Sequence, residues 1–369
     1  MLKRFSVENF KGFRDELVFD LSAREYEFNQ CLVKNGIVNK AIIYGRNGIG
    51  KSCLGLALFD IISHLTDKKR LREKYVSDYR NLDSDAPAAC FSYLFCFDGD
   101  EVRYKYGKTD VDKLAWEQLF VNEKKIIDYN YHNSAPKYVD KDISGELNIE
   151  LEDNTLSIIK YIYRNTPSNP NSVITKMIQF CENMLWYRCV TDGNTYAGFT
   201  NGKREIGATI YEKKSLDDFQ AFLRENKLEY DLGYEIENDA PVLYAYYNDR
   251  KNKASFFSLA SSGTRALVLF YYWSVVAFEK ISFLFIDEFD AFFHYQSAES
   301  IVKRLNMAAG FQAVLTTHNT YLMQNRLTRP DCCFLMSTGK IVNLSSATDK
   351  EIREAHNLEK MYINGAFIE

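Results

Sequence analysis

The sequence predicts an α/β fold, a mixed sheet core carrying a mostly helical insertion, and two observations at opposite ends of the chain predict it. A short buried strand over residues 39–44 runs directly into Gly45-Arg46-Asn47-Gly48-Ile49-Gly50-Lys51-Ser52, and Ser52 to Leu65 continues with apolar residues at helical spacing. Towards the other end, apolar strands at 281–286 and 312–316 alternate with helical patterns at 263–278 and 296–307, as in a mainly parallel sheet.

The remaining elements follow in chain order. Alternating runs from Leu2 to Val7 and Leu17 to Leu21 flank a turn-like Asn9-Phe10-Lys11-Gly12 and read as a hairpin. Residues 67–85 are charged, a helix-plus-loop surface. Residues 88–106 carry two strand-like pieces around Asp98-Gly99-Asp100, a hairpin by the Asp-Gly turn rule. The core is expected in two parts, 1–109 and 251–369, with residues 110–250 as an insertion or helical arm. In that arm, polar stretches at 128–150 and 165–172 separate helical windows at 155–163 and 172–187. A charged segment follows around 192–205, then a helical pattern from Ser215 to Arg224. A hairpin at 241–247 and 254–259 leads back to the core, strand-like pieces sit at 332–336 and 340–344, and a last helix covers 348–360.

Bulk properties narrow the function classes. A chain of 369 residues can bury a large core with an insertion. A net charge of -4 and a pI near 5.9 provide no global positive field, so nucleic acid could use only a local groove. The eight cysteines form no CxxC pair, and Cys332-Cys333 lies in an apolar run, which favours a reducing compartment. The longest apolar stretch, Ala266 to Phe278, is too short to span a bilayer, and the chain opens on a strand pattern. The expectation is a cytoplasmic chain without a membrane partner.

The loop at 45–52 satisfies the phosphate-loop pattern at every fixed position. Backbone N–H groups must converge on phosphate oxygens, so glycines permit the tight path, and the following helix points its positive end at the same anion. Lys51 is expected on the β and γ phosphates, and the Ser52 hydroxyl in a Mg²⁺ shell. ATP and Mg²⁺ are therefore the expected cofactors. The apolar run Phe283 to Ile286 ends at Asp287-Glu288, where a strand terminus in an open α/β sheet faces the ligand crevice. Asp287 suits the metal through water, and Glu288 suits polarising an attacking water.

Four pieces in this order give the chain its resemblance to ATP-binding-cassette (ABC) ATPases of the soluble branch. They are the loop at 45–52, the run Ser258 to Arg265 before a helix, the strand ending in Asp287-Glu288, and Thr316-Thr317-His318-Asn319. That branch includes RecF-like, SMC/Rad50-like and overcoming-lysogenisation-defect-like proteins, and the closing stretch around Asn364-Gly365-Ala366-Phe367 resembles stand-alone bacterial ATPases of the branch, many encoded in defence or toxin-like gene pairs. The resemblance implies that Ser261, Ser262 and Gly263 contact nucleotide held by a second copy. It implies that His318 holds the γ-phosphate and water, and that Asp290 crosses a dimer interface. Ser-Ser-Gly-Thr before an apolar helix also makes a good N-cap. His294 resembles a histidine often found shortly downstream in this branch. A Mg²⁺-sensing glutamine loop is expected near the 88–106 hairpin, yet none stands there, and Gln118, in a helical context, is the nearest candidate. Lys11 and Arg14 are candidates to flank the nucleotide.

The resemblance implies an ATP-hydrolysing switch that closes as a homodimer or larger homo-oligomer and regulates a separately encoded effector, a nuclease or toxin in antiviral defence. Two alternatives stay open: a DNA-binding repair ATPase of RecF/Rad50 type, and an ATP-dependent scaffold with little hydrolysis. The insertion lacks even three clean heptads, against a long coiled-coil clamp.

Overall fold

The computed structural model describes residues 1–133, 135–151, 153–167, 169–189, 195–200 and 205–367. One seven-stranded sheet has the order Tyr196–Gly198, Met184–Arg188, Phe283–Asp287, Gln312–Thr317, Lys40–Tyr44, Cys333–Ser337, Lys340–Asn343. Its five central strands are parallel and its two edge pairings antiparallel, so the sheet is mixed. The central strands read as continuous apolar runs because both of their faces are covered. Ala41, Ile43, Phe283 and Phe285 point into one core cluster, where the helix Lys51–Phe59 packs. Ile42, Tyr44, Leu284 and Ile286 point into the other, with the helices Ser262–Val276 and Tyr295–Met307.

The second seven-stranded sheet is antiparallel throughout, running from Ala135–Val139 through Lys124–Asn130, Lys113–Val121, Asp100–Asp110, Ala89–Phe97 and Leu2–Glu8 to Leu17–Asp20. Its inward face (Phe5, Phe91, Tyr93, Tyr104, Tyr106) joins the cluster that holds the phosphate-loop helix, so that helix lies between the sheets. Asp60, just past the helix, fastens it there. Its carboxylate accepts from Lys108 Nζ at 2.7 Å, Tyr106 Oη at 2.9 Å and Tyr79 Oη at 3.0 Å. Lys108 and Asp60 are both almost fully buried, and burial lowers the Lys108 pKa while Asp60 opposes that shift.

Residues 110–250 contain the helices Ile158–Asn165, Val173–Glu182, Ile206–Glu212 and Leu216–Glu225, but strands accompany them. The window at 172–187 breaks at Asn183, and Met184–Arg188 becomes a core strand beside the acidic strand. Trp186 joins one core cluster while Leu185 and Tyr187 join the other, an alternation a helix cannot supply. Gln118 lies in the strand Lys113–Val121 and not in a helix. Its amide donates to Asp128 at 3.2 Å, committing it to the antiparallel sheet. The last helix is shorter than the expected 348–360, running Leu358–Ile363, because Asn357 caps it through Lys360 N–H at 2.8 Å. Parts of the charged segment at 192–205, and single positions within the polar stretches at 128–150 and 165–172, lie outside the described residues.

Candidate active site

Parallel pairing brings the C-terminal ends of the core strands to one edge. Thr317 lies opposite Tyr44, Leu315 opposite Ile286, and Asp287 opposite Arg188. The phosphate loop, the acidic pair and His318 therefore lie towards one rim.

In the loop itself, Arg46, Asn47 and Gly48 are exposed, and Gly45, Ile49 and Gly50 are half-buried. Gly50 sits at the helix N-cap with φ of 109°, a conformation closed to residues with a Cβ. Lys51 folds back over the loop, its Nζ donating to Gly45 O at 2.6 Å and Arg46 O at 3.0 Å. Burial lowers its pKa, while Glu288 and Asp287 oppose the shift. The turn that carries Lys11 packs beside the loop through Phe13, which faces Gly50. Lys11 itself donates to Ser77 O at 3.0 Å, and Arg14 is exposed.

Asp287 is fully buried. Ser52 Oγ donates to its Oδ2 at 2.7 Å, and Thr316 Oγ1 donates to its Oδ1 at 2.9 Å. Burial raises its carboxyl pKa, and the Ser52 and Thr316 hydrogen bonds and the Arg188 charge pull it back. Glu288 has a left-handed backbone with φ of 48°, uncommon for a glutamate, and its N–H donates to Thr316 Oγ1 at 2.8 Å. Thr316 thus fixes both acids. Thr317 does the same for Asp290, donating to Oδ2 at 2.8 Å and leaving Oδ1 buried and unpaired. Burial raises the Asp290 pKa, opposed by its hydrogen bonds and by the charge of His318, which is itself exposed.

A hydroxyl and a carboxylate converging from separate elements form the oxygen donor set that a hard divalent cation prefers, and Ser52 with Asp287 fits Mg²⁺ on that ground. Among the described residues no group of three or more His, Cys, Asp or Glu forms a separate metal cluster.

The signature residues make local contacts. Ser261 caps the helix Ser262–Val276, accepting from Thr264 N–H at 3.2 Å. Ser262 is exposed. Gly263 abuts the carbonyl of Phe292, where an added Cβ would come within 2.9 Å. None of the hydrogen bonds of Ser261 or Ser262 among the described residues reaches residues 45–52. His294 is exposed and its ring lies 4.1 Å from that of Tyr295.

Sequence reasoning missed Arg188. Its Nη2 donates to Glu288 Oε2 at 2.7 Å, and its Nε lies 3.4 Å from Asp287 Oδ2. The signal was the run Met184 to Tyr187, a strand hidden in the tail of an apolar window. The two threonines lie inside a recognised motif, but their work in orienting the acids needed the geometry.

Residues 40–324 match the family described as "AAA domain, putative AbiEii toxin, Type IV TA system". The chain belongs to that family. Its core is a mixed α/β sheet with the phosphate loop at the end of a central strand. An SMC head domain from Thermotoga maritima is similar over 93% of this chain and 98% of that one, at 16% identity and a TM-score of 0.43. An SMC head bound to the C-terminal domain of ScpA derived from Pyrococcus furiosus is similar over 94% and 97%, at 14% identity and a TM-score of 0.49. The recombination mediator RecF with ATP is similar over 93% and 99%, at 14% identity and a TM-score of 0.40. No curated protein matches the sequence. Membership of the family makes this an ATP-binding chain with ATPase capacity in general. No helix among the described residues is long and apolar enough to cross a membrane.

Proposed function

We propose that this AAA-family chain is an ATP-hydrolysing switch that closes as a homodimer over nucleotide and controls a separate effector. The observation that carries the reading is the 2.7 Å bond between Ser52 Oγ and Asp287 Oδ2, which joins the two halves of a phosphate-and-metal site. The loop amides at 45–52 would bind the phosphates, with Lys51 exchanging the Gly45 and Arg46 carbonyls for phosphate oxygens. Ser52 and Asp287 would hold Mg²⁺, which supplies charge neutralisation at the phosphates. Glu288 would accept a proton from, or orient, the attacking water, and His318 would steady the γ-phosphate side.

Ser261, Ser262 and Gly263 are proposed to complete the site of a second copy, with Asp290 at the crossing. The exposure of Ser261 and Ser262 supports that assignment. γ-Phosphate contacts across two copies exist only while ATP is intact, so hydrolysis opens the pair. The family description, which names a toxin and a Type IV toxin–antitoxin system, supports work alongside a second, separately encoded protein, which we propose to be a nuclease or toxin in antiviral defence.

The test combines ATP turnover with sedimentation. Glu288→Gln should abolish turnover and accumulate an ATP-bound dimer, while Lys51→Ala should bind no nucleotide and stay unassembled. Turnover undiminished in Glu288→Gln would overturn the hydrolytic assignment. A wild-type chain that stays monomeric at saturating ATP would overturn the composite site. DNA-stimulated turnover with salt-sensitive duplex binding would favour the repair-type alternative.

A further inference from the structure

We propose that Arg188 is a positioning residue that competes with the divalent cation for Asp287 and, through the same guanidinium, holds Glu288. This rests on the reading above, in which Ser52 and Asp287 hold Mg²⁺ and Glu288 serves the water.

The placement is set by sheet register. Arg188 ends the strand Met184–Arg188 directly opposite Asp287, so a long side chain at this position reaches both acids. Its guanidinium is divided between them. Nη2 donates to Glu288 Oε2 at 2.7 Å, a charge-assisted hydrogen bond. Nε is buried and makes no hydrogen bond, although it stands only 3.4 Å from Asp287 Oδ2. An arginine kept only to finish the fold would be expected to satisfy that donor, since an unmade buried hydrogen bond is costly.

The oxygen it approaches is the one that accepts from Ser52 Oγ. A divalent cation held by Ser52 and Asp287 would therefore stand beside that guanidinium. Two cations beside one carboxylate repel, so filling the metal position would weaken the Arg188–Asp287 approach. The bond to Glu288 does not involve that oxygen and stays available. Metal binding would thus change how the guanidinium is shared between the two acids, and with it the orientation of Glu288.

Charge and shape make separable predictions. Arg188→Gln removes the competing charge, so the Mg²⁺ concentration for half-maximal binding of a fluorescent ATP analogue should fall about five- to tenfold. Arg188→Lys keeps the charge and loses the planar fork, so half-saturation should stay within about twofold of wild type. Single-turnover hydrolysis at saturating Mg²⁺ should drop about tenfold in both, because neither orients Glu288. Glu288→Gln supplies an independent arm should Arg188→Gln fail to fold. It loosens the outer anchor, turns the guanidinium towards Asp287, and should raise the Mg²⁺ half-saturation several-fold. Unchanged half-saturation in Arg188→Gln, or in Glu288→Gln where the former does not fold, would overturn the inference while Mg²⁺-dependent wild-type binding left the site reading standing. Wild-type nucleotide binding indifferent to Mg²⁺ would instead overturn the site reading, and this inference with it.

Discussion

The hydroxyl of Ser52 meets the carboxylate of Asp287 at 2.7 Å, across 235 residues of sequence. One group opens the phosphate-loop helix and the other closes the acidic strand, so a single hydrogen bond measures whether the core has assembled its site. Ser52→Ala and Asp287→Asn should each weaken nucleotide binding about tenfold or more in Mg²⁺, roughly 1.4 kcal/mol. In EDTA the same variants should lie within about threefold of wild type. Titration of a fluorescent ATP analogue under the two conditions checks this, and equal losses in both would remove the metal from the account.

Glu288 permits a test of backbone strain that is independent of catalysis. Its φ of 48° disfavours any residue with a Cβ. Glu288→Gly and Glu288→Ala both delete the carboxylate and its bond to Arg188, so that loss cancels between them. The glycine variant should be the more stable by about 1 kcal/mol in urea unfolding, with both inactive. Equal stabilities would mean that the left-handed turn is not held in solution.

Two hairpins explain which parts of this fold could be read from sequence. Asp98 and Gly99 turn with φ of 52° and 100°, and their Asp-Gly pair announced the strands on either side. Asn122 and Glu123 turn with φ of 47° and 66°, but glutamate is a poor residue for that conformation and gives no warning. The strands Lys113–Val121 and Lys124–Asn130 therefore carry no local turn signal, and Gln118 reads from sequence as lying in a helical context. The same logic separates the site residues. Lys51, Ser52, Asp287 and Glu288 stand in local motifs whose chemistry dictates their spacing. Arg188 comes to Asp287 only through the pairing of strands far apart in sequence, and nothing local marks it.

Gly263 offers a test of the proposed composite site that spares the nucleotide pocket. A methyl group there would meet the Phe292 carbonyl at 2.9 Å and push the signature away from the segment following Asp290. Gly263→Ala should bind nucleotide within about twofold of wild type, yet lose ATP-dependent self-association by about tenfold, near 1.4 kcal/mol. Sedimentation with and without ATP reads this directly. Wild-type assembly by the variant would remove Gly263 from the interface.

Lys40 makes a prediction about pH. Its ammonium is buried at the start of the phosphate-loop strand, where it donates to Phe311 O at 2.6 Å, and no ion pair with a carboxylate is found among the described residues. Burial lowers its pKa from 10.5 to about 7. The folded chain then releases this proton near pH 7 and the unfolded chain only near 10.5, so between those values the unfolded state binds more protons. Stability from this group should rise with pH across the window, by up to about 1.4 kcal/mol per pH unit. Below pH 7 both states are charged and the full penalty of burial is present. Lys40→Met removes the titration, so its advantage over wild type should be largest at pH 6 and shrink steadily towards pH 10. Urea unfolding of both chains across that range decides the matter, and a constant difference would mean that Lys40 keeps its ordinary pKa in the fold.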